Sequence, residues 1–318
     1  MVEVVIIIGN GFDKDLGLPT GYSDFVKSDE WKKLEKKFCS FSTEDNLTHS
    51  LICHLQTEAY NKEYWFDIEE EIQQFIKNHP KCKDEEIREI EYEFINLKKA
   101  LKDYLNRVSS GYKMEETRLP YELLKKLSAS PRRIVVINFN YTNPHDFLST
   151  PIYCRPSLYE QTHVHGSLFD DDIVLGCDVP KDQEVNRDLS FMYKYNMLKR
   201  ANHVARNLLE AKEIIFYGHS VNEMDFGYFR EFFKKASEAP KPTRYLTFIT
   251  LNEKSERRIK DNIRNQGIPV TDLYNNLESF TFIHTKKLYE QDKNEVQMKE
   301  DLFKRIMIKD HRGINIRN

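Results

Sequence analysis

The chain has 318 residues, of which 31% are charged, and a net charge of −3 at pH 7. Such a length holds one large domain or two. Such a charge balance offers no general polyanion-binding surface, which weighs against nucleic acid as the partner. Five scattered cysteines (Cys39, Cys53, Cys82, Cys154 and Cys177) without a Cys-x-x-Cys pair predict reduced thiols in a cytoplasm and argue against a structural zinc module. No apolar run approaches the length of a bilayer span, and the run at residues 4–8 is too short for a secretion-signal core. The expected location is therefore the cytoplasm, with no membrane partner.

Val4-Val5-Ile6-Ile7-Ile8 is an unbroken β-branched run and predicts a strand buried on both faces. Gly9-Asn10-Gly11 follows, and its two glycines permit a tight turn with close backbone approach. A helix beginning there would aim its first N–H groups over the strand end. No third glycine arrives three residues on, so the dinucleotide fingerprint is incomplete. Asp13 reads as a cap near a helix start, or as a contact to a ribose.

Between residues 24 and 128 strand-like runs give way to helical spacing. Helices are predicted over 28–38 (Trp31, Leu34, Phe38), 51–64, the segment carrying Trp65, Ile68, Ile72, Phe75 and Ile76, and 83–108. This block reads as a helical insertion or cap. Glu69 and Glu70 within it either line a solvated helix face or reach a cleft. A further helix is predicted over 121–127.

The α/β pattern then returns. Ile134-Val135-Val136-Ile137 predicts a second buried strand, with Asn138-Phe139-Asn140-Tyr141-Thr142 at its C-terminal end. Thr162-His163-Val164-His165-Gly166-Ser167 reads as a third strand-to-turn element, whose alternation puts His163 and His165 on one face. A short strand is expected over 173–176 and helix over 190–211. Ile214-Ile215-Phe216-Tyr217 is another strand; its turn is Gly218-His219-Ser220, and Asn222 caps a helix with Asp225 in its first turn. Strands at 245–250, 269–273 and 279–284, and helices at 252–264 and 294–306, complete the chain. The alternation predicts a Rossmann-like, doubly wound, mostly parallel α/β sheet with a large helical insertion. The expected domains are a core of 1–23 and 129–290, an insertion of 24–128, and a C-terminal helix and tail of 291–318.

In a parallel sheet, turns at strand ends meet at one edge, where ligands bind. Gly9-Asn10-Gly11, Asn138-Phe139-Asn140, His165-Gly166 and Gly218-His219-Ser220 are four such turns. Histidine moves protons near neutral pH, asparagine orients a hydroxyl or a water, and glycine-turn amides bind pyrophosphate. Together they suit a nucleotide whose sugar carbon is attacked by water. A metal site from His163 and His165 with Asp170, Asp171 and Asp172 is a weaker reading, because a three-aspartate run is ordinarily a solvated turn. A serine hydrolase is weaker still, since neither Ser167 nor Ser220 lies in a Gly-x-Ser-x-Gly elbow.

Residues 5–13 with Gly17-Leu18-Pro19-Thr20, residues 137–142, His163-Val164-His165-Gly166, and Tyr217-Gly218-His219-Ser220 with Asp225 resemble the AbiH family of bacterial abortive phage infection proteins. More distantly the chain resembles sirtuin-like domains, which bind NAD on a Rossmann-type sheet. That second resemblance implies NAD as the small-molecule substrate, without a metal, cleaved at its N-glycosidic bond. Asn140 would then hold ribose or water, and His165 would act as base or as partner to a ribose hydroxyl. It further implies that Gly9, Asn10, Gly11, Asp13, Asn138, Gly218, His219, Ser220 and Asp225 line the nucleotide site. Two residues depart from it: Thr142 stands where the motif closes on aspartate, and Asn10 where it has alanine. The zinc-binding cysteines of the deacylating members are absent. The non-catalytic alternative is a nucleotide-binding sensor acting through a protein partner, with a phage-derived trigger and a homo-oligomer as compatible partners. A nuclease using His163, His165 and His219 is the third reading.

Overall fold

The run Val4–Ile8 forms strand β1 and is buried along its whole length, as the lack of alternation requires of a strand covered on both faces. The computed structural model describes residues 2–39, 49–62, 66–149, 158–179, 184–198 and 203–308. In chain order β1 is followed by helices α1 (Asn10–Asp15), α2 (Tyr22–Phe25), α3 (Asp29–Phe38), α4 (Leu51–Asn61), α5 (Ile68–Asn78), α6 (Asp84–Ser109) and α7 (Leu119–Ala129). Strand β2 (Ile134–Asn138), a 3-10 turn (Pro144–Phe147) and strand β3 (Tyr159–His163) come next. A second 3-10 turn (Ser190–Met192), α8 (Lys194–Met197) and α9 (Val204–Glu210) lead to β4 (Glu213–Tyr217), α10 (Glu223–Glu238) and β5 (Lys241–Thr250). The chain continues through α11 (Glu253–Asn265), α12 (Val270–Asn276), β6 (Leu277–His284), α13 (Thr285–Tyr289) and α14 (Lys293–Met307).

The strands form one all-parallel sheet in the order β3-β2-β1-β4-β5-β6. This is the Rossmann-like α/β architecture that the strand–helix alternation predicts. The order reverses between β1 and β4, and in such sheets ligands bind beyond the strand ends at that switch point. Ile8 is level with Asn138 on one side and Tyr217 on the other, so the turns after β1, β2 and β4 leave the sheet at the same height. Phe216, Phe248 and Phe282 occupy matched positions on β4, β5 and β6 and stack with centroids 4.7 and 5.2 Å apart. Phe226, Phe229, Phe232 and Phe233 of α10 bury themselves in the same core.

The chain divides into two units, one of residues 1–17, 113–164 and 202–318, the other of residues 18–112 and 165–201. The first is the α/β unit. The second is helical: Trp31 and Leu34 of α3, Leu51, Ile52 and Leu55 of α4, Ile68, Ile72 and Phe75 of α5, and Phe94, Leu97 and Leu101 of α6 are buried, at the spacing read from sequence. The helical unit thus takes in residues 165–201, which the sequence pattern places in the core. Helix α14, expected to stand apart with a tail, belongs to the α/β unit.

Several expectations need correction. Residues 173–176 form no strand; the one pairing nearby is an isolated bridge between Cys177 and Tyr193. The expected strand at 269–273 is the start of α12, because Pro269 supplies a ready-made helix N-cap conformation and Leu273 is the one residue of α12 that is buried. The expected helix over 190–211 is interrupted, and His203 precedes α9 with φ 53°. The cysteines are not all reduced: Cys39 and Cys53 form a disulfide, because the end of α3 and the start of α4 bring their Cα atoms to 5.7 Å. Trp65 and Cys154 lie outside the described residues. Among the described residues no helix is long and apolar enough to cross a membrane.

Candidate functional site

The two glycine turns that flank the switch point are locked into each other. Gly9 N–H donates to Tyr217 O, Gly11 N–H to Gly218 O, and Phe12 N–H to Gly9 O, each at 2.9 Å. A Cβ on Gly11 would stand 2.6 Å from Gly218 Cα, and one on Gly9 would stand 2.7 Å from His219 Cα. Gly218 adopts φ 66°, a region glycine enters freely, and a Cβ there would collide with Phe12 N. The sequence pattern assigns these glycines to a phosphate. In this structure their missing side chains make room for the opposite turn, and the amides of Gly9 and Gly11 are engaged with its carbonyls.

Asp13 sits at the centre of a second set of contacts. Its carboxylate is fully buried in α1 and accepts from Asn140 Nδ2 at 3.0 Å and from Thr142 Oγ1 at 2.7 Å. Asn140 Nδ2 also donates to Gly9 O at 3.1 Å. Asn138 shapes the loop that presents them: its Oδ1 accepts from Asn140 N–H at 2.9 Å, and its Nδ2 donates to Thr142 O at 2.8 Å. The Asn-Phe-Asn-Tyr-Thr segment therefore clasps the carboxylate of the first helix, and Thr142 is a working member of that clasp. Phe139, between the asparagines, turns into the core beside Phe229.

The half-buried β3 side chains extend this polar edge. Gln161 Nε2 donates to Asn143 Oδ1 at 3.0 Å and lies 3.2 Å from His163 Nε2. His163 Nε2 is then the acceptor, so its proton sits on Nδ1, which faces Asn140 O at 3.1 Å. His145 Nε2 meets the Tyr159 hydroxyl at 2.9 Å, and burial holds its imidazole below the ordinary histidine range.

On the β4 side, His219 is buried against Phe139, Phe216 and Phe229. Its Nδ1 accepts from Val221 N–H at 3.0 Å, which places the proton of the neutral ring on Nε2, 3.5 Å from the Asp225 carboxylate. Val221 is held at φ 52°, a strained conformation for a β-branched residue. Asn222 caps α10, its Oδ1 accepting from Asp225 N–H at 3.1 Å, as its sequence position predicts. Ser220 is half-buried, and its carbonyl accepts from Asn262 Nδ2 at 2.9 Å. Asn10 is half-buried at the first position of α1.

Behind the turns lies a cluster that the sequence pattern does not announce. Both the Tyr217 and Tyr289 hydroxyls donate to Asp15 Oδ2, the second at 2.9 Å. Arg118 lies 3.9 Å from Asp15 Oδ1, with its guanidinium 4.6 Å from the Tyr289 ring centre. Burial outweighs these donors and pushes the Asp15 carboxyl above its usual range. Nothing local in the sequence links Tyr289 to Asp15; only the position of Tyr217, just before the Gly218 turn, hints at it.

His165 belongs to the other unit. It is buried, and its carbonyl accepts from Val174 N–H at 2.7 Å. The loop after it is a tight turn: Gly166 (φ 75°) packs on Asp172, Ser167 N–H donates to Asp172 Oδ1 at 2.9 Å, and Asp170 N–H donates to Ser167 Oγ at 3.0 Å. Asp171 pairs with Lys102 of α6. Also in the helical unit, Lys194 is almost wholly buried and pairs with Glu69 at 2.7 Å. Burial, with Glu69 nearby, pushes the Cys177 thiol up to about 12.

Residues 5–246 match the family model described as bacteriophage abortive infection AbiH. The chain belongs to the AbiH family. The match takes in β1, the Gly9-Asn10-Gly11 turn, the Asn138–Thr142 clasp and the Gly218 turn, so every element at the switch point lies within the family's shared region. It stops short of Tyr289, which places one of the two Asp15 donors outside that region. A role in bacteriophage abortive infection comes with the family. Neither the curated proteins nor the solved structures contain a significant match to this AbiH chain.

Proposed function

We propose that this AbiH protein acts in abortive infection as a nucleotide-directed effector, hydrolysing NAD or a related nucleotide at the N-glycosidic bond. One observation carries the reading: the turns after β1 and β4 stand at the switch point of a 3-2-1-4-5-6 parallel sheet, where such sheets take nucleotides. In the reaction a water oxygen bonds to the sugar carbon as the C–N bond breaks. The base leaves with the bonding electron pair, and a proton is released. Asn138, Asn140, Asp13 and Thr142 form a prearranged polar edge. Asn140 and His165, lying in different units, enter the proposal as separately testable residues.

A second reading, nucleotide recognition without turnover, is favoured by the engagement of Asn140 Nδ2 with Gly9 O and Asp13 Oδ1, which occupies the side chain that hydrolysis would direct at ribose or water. The experiment is to incubate the full chain with NAD, with and without phage-infected cell extract as a source of trigger, and to measure free nicotinamide. Release that is lost in Asn140→Ala supports hydrolysis. Saturable binding of intact NAD without release supports the sensor. Neither binding nor release overturns both.

A further inference from the structure

The helical unit carries a pair of cysteines that the nucleotide reading does not use. Cys39 closes α3 as its C-cap residue, and Cys53 occupies the third position of α4. Their Cα atoms are 5.7 Å apart, within the range a disulfide spans without moving the backbone. The two sulfurs have unequal surroundings. Cys39 is half-buried, whereas Cys53 is only 4% exposed and belongs to the first turn of α4. There Ser50 Oγ accepts from Cys53 N–H at 3.2 Å. Glu93 of α6 accepts from Ser50 Oγ at 3.0 Å and from Ile52 N–H at 2.8 Å, and burial pushes its carboxyl upward, toward the neutral form. The Cys53 sulfur itself lies 3.7 Å from Phe38 O at the end of α3, enclosed on that side by backbone.

We infer that Cys39–Cys53 is a reversible thiol–disulfide exchange site whose reactant is a small cellular thiol of the glutathione type, entering at Cys39. The thiolate attacks Cys39 Sγ, forming a mixed disulfide as the Cys39–Cys53 bond breaks, and Cys53 Sγ leaves with the electron pair. A second thiolate attacks the sulfur of the bound thiol, releasing the small-molecule disulfide and Cys39 as thiolate. Two protein sulfurs are reduced and two small thiols oxidised; the small-molecule disulfide drives the reverse. The unequal exposure sets the direction of attack, because the reachable sulfur is the one approached. The other described thiols do not compete: burial raises Cys82, and Cys177 is pushed up to about 12.

The test uses the full chain equilibrated in buffers of graded reduced-to-oxidised glutathione ratio, followed by acid quench, differential alkylation and peptide mass spectrometry. Cys39 and Cys53 should change label together through one transition, while Cys82 and Cys177 stay in the thiol form throughout. In the wild-type chain quenched early during reduction, glutathione should be found on Cys39 at least ten times as often as on Cys53. Cys53→Ser should accumulate the Cys39 adduct, and Cys39→Ser should form the Cys53 adduct at least ten times more slowly. Independent labelling of the two cysteines at every ratio, or an early adduct mainly on Cys53, overturns the inference. The wild-type quench decides it even if a serine variant fails to fold.

Discussion

Gly11 and Gly218 touch backbone to backbone: the amide of one donates to the carbonyl of the other at 2.9 Å, and a Cβ on Gly218 would fall 2.5 Å from Gly11 Cα. Strands β1 and β4 are neighbours in the sheet only because the chain order reverses there, so this contact clasps the two halves of the fold at the place where a ligand is expected.

Gly218→Ala should therefore destabilise by about 2–4 kcal/mol, combining a forced clash with a left-handed backbone that alanine resists. Gly11→Ala should cost about 1–3 kcal/mol from overpacking alone. Gly227 provides the internal control: it sits exposed in α10, and nothing lies within 4 Å of the place an alanine methyl would take, so Gly227→Ala should stabilise by about 0.5–1 kcal/mol. Urea midpoints of the three variants check this. A Gly218→Ala protein as stable as wild type would mean that the turns are not clasped in solution.

Thr142 tests the Asp13 clasp. Thr142→Val preserves shape but removes one of the donors to a fully buried carboxylate, and should cost about 1–3 kcal/mol. Thr142→Ser keeps the hydroxyl and should recover most of that loss. Chemical denaturation of the pair distinguishes a hydrogen-bond effect from a packing effect: if serine is as damaging as valine, the hydroxyl is not what matters.

Much of this is legible in the sequence because it depends on local patterns. The unbroken apolar runs mark β1, β2 and β4, the 3.6-residue spacing marks α3, α5 and α6, and Asn222 is recognisable as a cap. What the glycines do is not legible. A Gly-x-Gly turn that makes space for a phosphate and one that makes space for another turn have the same sequence, and only the approach of Gly218 separates them. Asp15 with Tyr217 and Tyr289 is hidden for the same reason, since hydrogen bonds between residues so distant along the chain leave no periodicity. The short stretch at 269–273 misleads because strand and helix look alike over so few residues, and a proline at its start decides for helix.

Asp15 gives a pH prediction. Burial raises its carboxyl above the ordinary 3.8, despite the donors Tyr217 and Tyr289 and the charge of Arg118. A carboxyl with a raised folded-state value binds its proton more tightly when folded. Its stabilising contribution is thus complete below pH 3.8 and is lost as pH rises through the folded value. Asp15→Asn, which keeps an acceptor for the two phenols, removes that dependence. Its stability relative to wild type should therefore increase from below pH 3.8 upward and then level off. Thermal melts of both proteins across that range measure the difference, and a flat or declining one would show that Arg118 and the phenols outweigh burial.

The Glu69–Lys194 pair tests how the helical unit tolerates charge. Both side chains are buried and meet at 2.7 Å, joining α5 to α8 within that unit. Removing one partner strands the other: Lys194→Met should cost about 3–5 kcal/mol, because Glu69 would keep a buried charge without its cation. Replacing both, as Glu69→Gln with Lys194→Met, removes the stranded charge and should cost less than Lys194→Met alone. A double-mutant cycle measured by denaturant unfolding reads this as a coupling of about 1–3 kcal/mol. Additive losses would mean that the two charges are solvated separately. Abortive-infection protection measured on the same variants then asks a different question. If the double variant regains stability but not protection, the pair serves the function of the helical unit and not its folding alone.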